Sequence, residues 1–97
     1  MEFLDPAIHQ PARLKIMAAL CQLKPDERVD FSYLKDNLGL TDGNLGAHLS
    51  TLEGKGYIAV EKTFVARRPK TFVSVTPEGR QAFTSHVQAL QAILAQK

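Results

Sequence analysis

The feature that most restricts this chain is a change of hydrophobic period at Gly54-Lys55-Gly56. Upstream, Leu45, Leu49 and Leu52 fall on one face of a helix. Downstream, Tyr57–Thr63 and Thr71–Thr76 alternate in polarity and are rich in aromatic and β-branched residues, as strands are. A helical period returns at Thr76-Pro77-Glu78-Gly79, where cap, proline and acid stand in order, and runs to about Ala95. A chain of 97 residues holds material for one core only. The two strands must therefore pair as a hairpin and lean on the helices around them.

The N-terminal half supplies those helices. Asp5-Pro6 predicts a capped turn through Ile8, and Gln10-Pro11 starts a helix to about Leu23, with Leu14, Met17, Ala18 and Cys21 on its apolar face. Lys24-Pro25-Asp26 ends it, and Arg28–Phe31 reads as a very short strand. Ser32 is placed to cap a helix over Tyr33–Leu38 that stops at Gly39, and Thr41 to cap one over Asp42–Glu53. This order is that of a winged helix-turn-helix. The fold class is α+β and mostly α, with a three-helix core, a small antiparallel sheet carrying a wing, and a long C-terminal helix. One domain over 1–97 is expected, with the helix-turn-helix at about 32–55, the wing at about 57–76 and the closing helix at about 77–95. The segment Phe64–Lys70 is expected to be the hairpin tip.

Several function classes are excluded or disfavoured. Hydrophobic residues at 44% and charged ones at 23% belong to a folded globular chain rather than a disordered one. No apolar run approaches the roughly 20 residues of a membrane span, and an acid at position 2 with no apolar stretch behind it does not read as a signal peptide. A single cysteine, Cys21, forms no internal disulfide, so a cytoplasmic location is expected, with the thiol packed and inert. No phosphate loop, nucleophile elbow or metalloprotease motif is present, so no catalytic residue and no cofactor is assigned. His9, His48 and His86 lie on three elements without metal-ligand spacing, and no metal site is expected.

Charge is distributed unevenly. Residues 1–54 hold five cations against eight acids, whereas residues 55–97 hold seven against two. Lys62–Lys70 has four cations and no acid, the signature of either a polyanion contact or a solvated loop.

Leu40–Tyr57, LTDGNLGAHLSTLEGKGY, resembles the helix-turn-helix of MarR/ArsR-type winged-helix transcriptional regulators. QPARLKIMAAL at Gln10–Leu20 resembles their opening helix, and VTPEGR at Val75–Arg80 the start of their closing one. The resemblance spans about residues 5–95. It implies a homodimer that binds double-stranded DNA, with the third helix in the major groove and the wing on backbone or minor groove. Asn44, Gly46 and His48 match base-reading helix positions, and Arg67, Arg68 and Lys70 match the wing tip. Thr41, Ala47, Ser50, Thr51 and Lys55 complete the candidate DNA-binding set. The paired-cysteine motif of metal-sensing members is missing, and no small-molecule effector is assigned.

Physical chemistry adds detail to this resemblance. Asn can bind adenine at two atoms, and Arg in a hairpin tip can enter a narrow minor groove or neutralise phosphate. The third helix holds no Lys or Arg, so electrostatic affinity must come from the wing and a second subunit. An alternative reading, a winged-helix protein-interaction module, fits that cation-poor helix. Gly43 and Gly46 within it would permit close backbone approach to DNA or to the preceding helix, or are simply tolerated. His48, at the edge of the leucine stripe, is expected to be half-buried and hydrogen-bonded. The last helix extends roughly 28 Å, and its uncharged stripe of Phe83, Val87, Leu90 and Leu94, with Phe3, Leu4 and Ile8, is the expected dimer seam.

Overall fold

In the computed structural model, which describes residues 3–96, four helices pack with a three-stranded antiparallel sheet. The order is α1 (Pro11–Cys21), β1 (Val29–Asp30), α2 (Phe31–Leu38), α3 (Asp42–Gly54), β2 (Ile58–Val65), β3 (Arg68–Val75) and α4 (Pro77–Leu94). This is the mostly helical winged helix-turn-helix that the element order implies. Strand β3 is central, with Val29 of β1 opposite Val73 and Ile58 of β2 opposite Val75.

Local chemistry sets the helix ends. The Gln10 side chain accepts from the Arg13 N–H at 2.8 Å, and Pro11 occupies the first turn of α1. Helix α1 ends at Cys21, two residues short of the expected Leu23, ahead of Lys24-Pro25. Of the expected Leu14, Met17, Ala18 and Cys21, Met17 is fully buried and Leu14 and Cys21 pack partly against the core, while Ile16 and Leu20 complete the buried face. Ile16 and Leu20 remove more apolar area from water than Ala18 and Cys21, and the helix rolls to suit them. Cys21 is half-buried, and burial pushes its thiol pKa up, which disfavours the nucleophilic thiolate.

Helix α2 is capped by Asp30 rather than Ser32: a carboxylate oxygen of Asp30 accepts from the Ser32 N–H at 2.7 Å. A carboxylate at the positive end of a helix gains from the backbone dipoles as well as from the hydrogen bond. Phe31 consequently belongs to α2, and β1 shrinks to Val29–Asp30. Gly39 ends α2 with φ of 65°, a left-handed conformation that costs glycine little. Thr41 caps α3 as expected, its hydroxyl accepting from the Asn44 N–H at 3.1 Å.

Ile8, Met17, Leu20, Leu45, Leu52 and Val73 are among the fully buried side chains of the core. Ile8 is 0% exposed. Its expected place in a dimer seam is thereby corrected, because the protomer's own core already covers it. Phe83 also packs partly against this core. The inward residues of α4 are Gly79, His86 and Ala89, a face displaced from the expected apolar stripe. Small residues and one histidine carry no strong hydrophobic signal, so the sequence does not reveal this inward face; Val87 and Leu90 of the apolar stripe are half-buried beside it.

Helix α4 is locked to the base of the hairpin. The Thr76 hydroxyl donates to the Gly56 carbonyl at 2.6 Å and accepts from the Gly79 N–H at 2.9 Å. A Cβ on Gly79 would stand 2.0 Å from the Tyr57 carbonyl oxygen, so only glycine fits there. Arg80 donates to the carbonyls of Cys21 at 3.1 Å and Leu23 at 2.6 Å, satisfying the C-terminal end of α1.

The N-terminal turn is tied to the same region by Asp5. Its N–H donates to His86 Nδ1 at 3.0 Å, and its carboxylate accepts from the Tyr57 hydroxyl at 2.5 Å. That bond holds the Tyr57 proton, pushing its pKa up to about 12. His86 is 1% exposed. Burial first, then the neighbouring His9, lowers its pKa. Among the described residues, no helix is long and apolar enough to cross a membrane.

Candidate nucleic-acid interface

The core leucines decide which side of α3 is presented to solvent. With Leu45, Leu49 and Leu52 buried, Asn44, Ala47, Ser50 and Thr51 are exposed, as is Thr41 at the cap and Lys55 just beyond the helix. The side chains of Asn44, Ala47, Ser50 and Thr51 are uncharged and short, with exposed Asp42 and Glu53 elsewhere on the helix, so the backbone can approach a partner closely along that strip. No atom lies within 4 Å of a Cβ built on Gly43 or Gly46. These glycines therefore do not accommodate the preceding helix, which leaves close approach by an external partner or simple tolerance.

His48 takes a different place from the other candidates. It is half-buried, and its Nδ1 accepts from the Arg13 guanidinium at 3.2 Å. Arg13 also donates through Nε to the Ala7 carbonyl at 2.6 Å. The histidine is thus engaged with α1, consistent with its position at the edge of the leucine stripe. Arg13, which sequence reasoning did not single out, orients it. Only a tertiary contact reveals that pairing.

The hairpin is tighter than expected. In place of a seven-residue tip, β2 and β3 stay paired as far as Val65 and Arg68, leaving only Ala66 and Arg67 in the turn. Both have positive φ, 52° and 67°. That two-residue geometry matches the natural twist of paired strands. Phe64 and Val65 sustain the ladder because aromatic and β-branched residues suit it. Pro69 falls beyond the reach of β1, where β3 has a free edge that tolerates proline.

Alternation then separates the cations. Val60, Lys62 and Phe64 share one face of β2, and their partners on β3 are Val73, Thr71 and Pro69. Val60, Lys62 and Thr71 line a cleft of about 270 Å³ against Gly46, Leu49, Ser50 and Glu53 of α3. Arg68 and Lys70 belong to the opposite face, with Glu61 and Phe72. There Lys70 pairs with Asp30, lowering the carboxyl pKa, and Arg28 pairs with Glu61 while covering the Phe72 ring at 4.1 Å. Lys70 therefore sits down the strand in an ion pair rather than at the tip. Among the described residues, Lys55, Lys62, Arg67 and Arg68 have no such pair. Lys62 was read only as the start of the basic stretch and Phe64 as part of the hairpin tip; the longer ladder puts both on the face of Val60.

The apolar seam candidates divide similarly. Phe3 and Leu94 are each 76% exposed and Ile93 43%. Leu4, Val87 and Leu90 are half-buried. The described residues contain no group of three or more His, Cys, Asp or Glu side chains able to hold a metal ion.

Comparison with known proteins agrees with this architecture. A transcriptional regulator homologue from Pyrococcus horikoshii superposes with a TM-score of 0.80 at 33% identity, covering 91% of this chain and 84% of that one. An uncharacterized protein of Methanocaldococcus jannaschii is 43% identical over 75 residues, 77% of this chain and 78% of that protein. Overoxidized AbfR bound to DNA shares the fold, with a TM-score of 0.74 at 17% identity over 89% of this chain and 60% of its own. The family model of the winged helix DNA-binding domain matches residues 12–94. With nearly the whole chain matched and its helix-turn-helix and wing in place, this protein belongs to the winged-helix DNA-binding domain family.

Proposed function

We propose that this protein is a transcriptional regulator that binds double-stranded DNA as a homodimer, with α3 in the major groove and the β2–β3 hairpin on the adjacent backbone or minor groove. The observation that carries this reading is the separation of shape from charge. A short-chained strip of α3 without Lys or Arg suits close insertion into a groove, while unpaired cations on the hairpin suit phosphate. Family membership and the regulator homologue from Pyrococcus horikoshii support the same assignment. The exposed Phe3, Ile93 and Leu94 supply apolar surface for a second copy. A DNA partner fits a cytoplasmic location.

Fluorescence anisotropy of mixed-sequence duplex DNA at several salt concentrations tests the reading. Binding should weaken steeply with salt, and the double variant R67A/R68A should lower the slope by up to about 2 per protomer. Asn44→Ala should instead alter sequence preference. No binding even at low salt would favour a protein-interaction module, to which the cation-free α3 is also suited. Sedimentation of the free protein tests the dimer, and a monomer at all concentrations would reject it.

A further inference from the structure

The hairpin tip carries an aromatic ring that the protomer does not cover. Phe64 is 72% exposed and Val65 47%, although both stand in a regular ladder. Alternation puts Phe64 on the face of Val60 and Lys62, so it continues the lining of the cleft outward from α3. Pro69, directly opposite, adds a second apolar ring to that face. Lys62 shares this face, Arg67 is in the adjoining turn and Arg68 stands beside the turn on the opposite face; none of the three has an ion-pair partner among the described residues. Glu61, the acid nearest in sequence, is on the other face and held by Arg28, and Glu53 lies across the cleft on α3.

An apolar ring among free cations fits a partner that is polyanionic outside and apolar within. A second copy of this chain would bring the same cations against themselves, and like charges oppose that contact. A duplex has both properties: phosphates along the rim and stacked bases behind them. Side chains of this type wedge between base steps from the minor groove and bend the duplex. We propose that Phe64 inserts at a minor-groove base step while Arg67 and Arg68 hold the flanking phosphates, so that binding bends the DNA. This inference rests on the DNA-binding reading above and adds a source of specificity to it. Pyrimidine–purine steps unstack most readily. With α3 in a major groove, the preferred step lies about half a helical turn, or about 5 base pairs, from the centre of its footprint. Sequence preference then arises partly from deformability, which a helix without Lys or Arg does not need to read by hydrogen bonds.

The test uses the full chain and duplexes of about 30 base pairs with dyes at both ends and 2-aminopurine placed at successive TA steps. The intact protein should raise energy transfer between the ends and brighten 2-aminopurine at one step position. Phe64→Ala should bind about tenfold more weakly, retain its salt dependence, and abolish both signals. Phe64→Trp should restore them, with its indole fluorescence quenched on binding. Salt-dependent binding to an unbent duplex, or equal bending by F64A, overturns the wedge and leaves the DNA-binding reading standing. Absence of salt-dependent binding to any duplex overturns both.

Discussion

Helix α3 and the β2–β3 hairpin are adjacent in sequence and opposite in construction. The helix is fixed by three buried leucines and presents small uncharged residues. Beyond its base the hairpin leaves the core, ending in an exposed ladder with Phe64, Arg67 and Arg68 at or beside the turn. One region therefore contributes position and the other charge. Substitutions in the body should change stability first, whereas those at the tip should change binding with little effect on stability.

The sharpest way to break this division is at the joint. Gly79→Ala places a methyl group against the Tyr57 carbonyl oxygen, at the 2.0 Å separation noted above. It should cost about 3 kcal/mol and lower Tm by about 15 °C in a thermal melt. A change below about 1 kcal/mol would mean that the hairpin base is free to shift. Thr41→Ala removes the α3 cap and should cost about 1 kcal/mol in denaturant unfolding. Weaker DNA binding in this variant should follow only as far as α3 frays.

A pH titration separates the two regions next. Folded His86 is neutral because Nδ1 accepts from the Asp5 N–H, and burial followed by His9 lowers its pKa below the ordinary 6.5. Between that lowered value and 6.5, the unfolded chain binds more protons than the folded one. The stabilisation is full above 6.5 and is lost as pH falls through the lowered folded value. Urea midpoints should therefore drop on acidification, and His86→Gln should flatten this part of the profile. An unchanged slope in H86Q would assign the pH dependence elsewhere. The smallest effect is expected at the tip. Arg67→Gly relieves a left-handed residue and should stabilise by about 0.5 kcal/mol, yet bind DNA more weakly.

Legibility in the sequence followed the same boundary between local and tertiary causes. Pro11, Gly39, Thr41 and the leucines of α3 act through neighbours within a few residues, and each was read with its correct role. Ser32 lost its cap to Asp30 because two good capping residues stood two positions apart and only one carried a full charge. The inward face of α4 was not legible, because Gly79, His86 and Ala89 bury themselves without a hydrophobic stripe. Lys70 was assigned to the tip because its tie to Asp30 joins residues 40 positions apart. The exposed face of α3 was legible from periodicity alone. The outward division of the wing required the ladder register, in which a two-residue turn replaced an expected loop of seven.

The joint at Gly56, Tyr57, Thr76 and Gly79 has a mechanical consequence. The contact between the first turn of α4 and the hairpin base leaves no room for slip, and the Thr76 hydroxyl ties both sides. The base of the hairpin thus has a fixed point on α4, and any displacement of the first turn of that helix would have to displace the root of the wing with it.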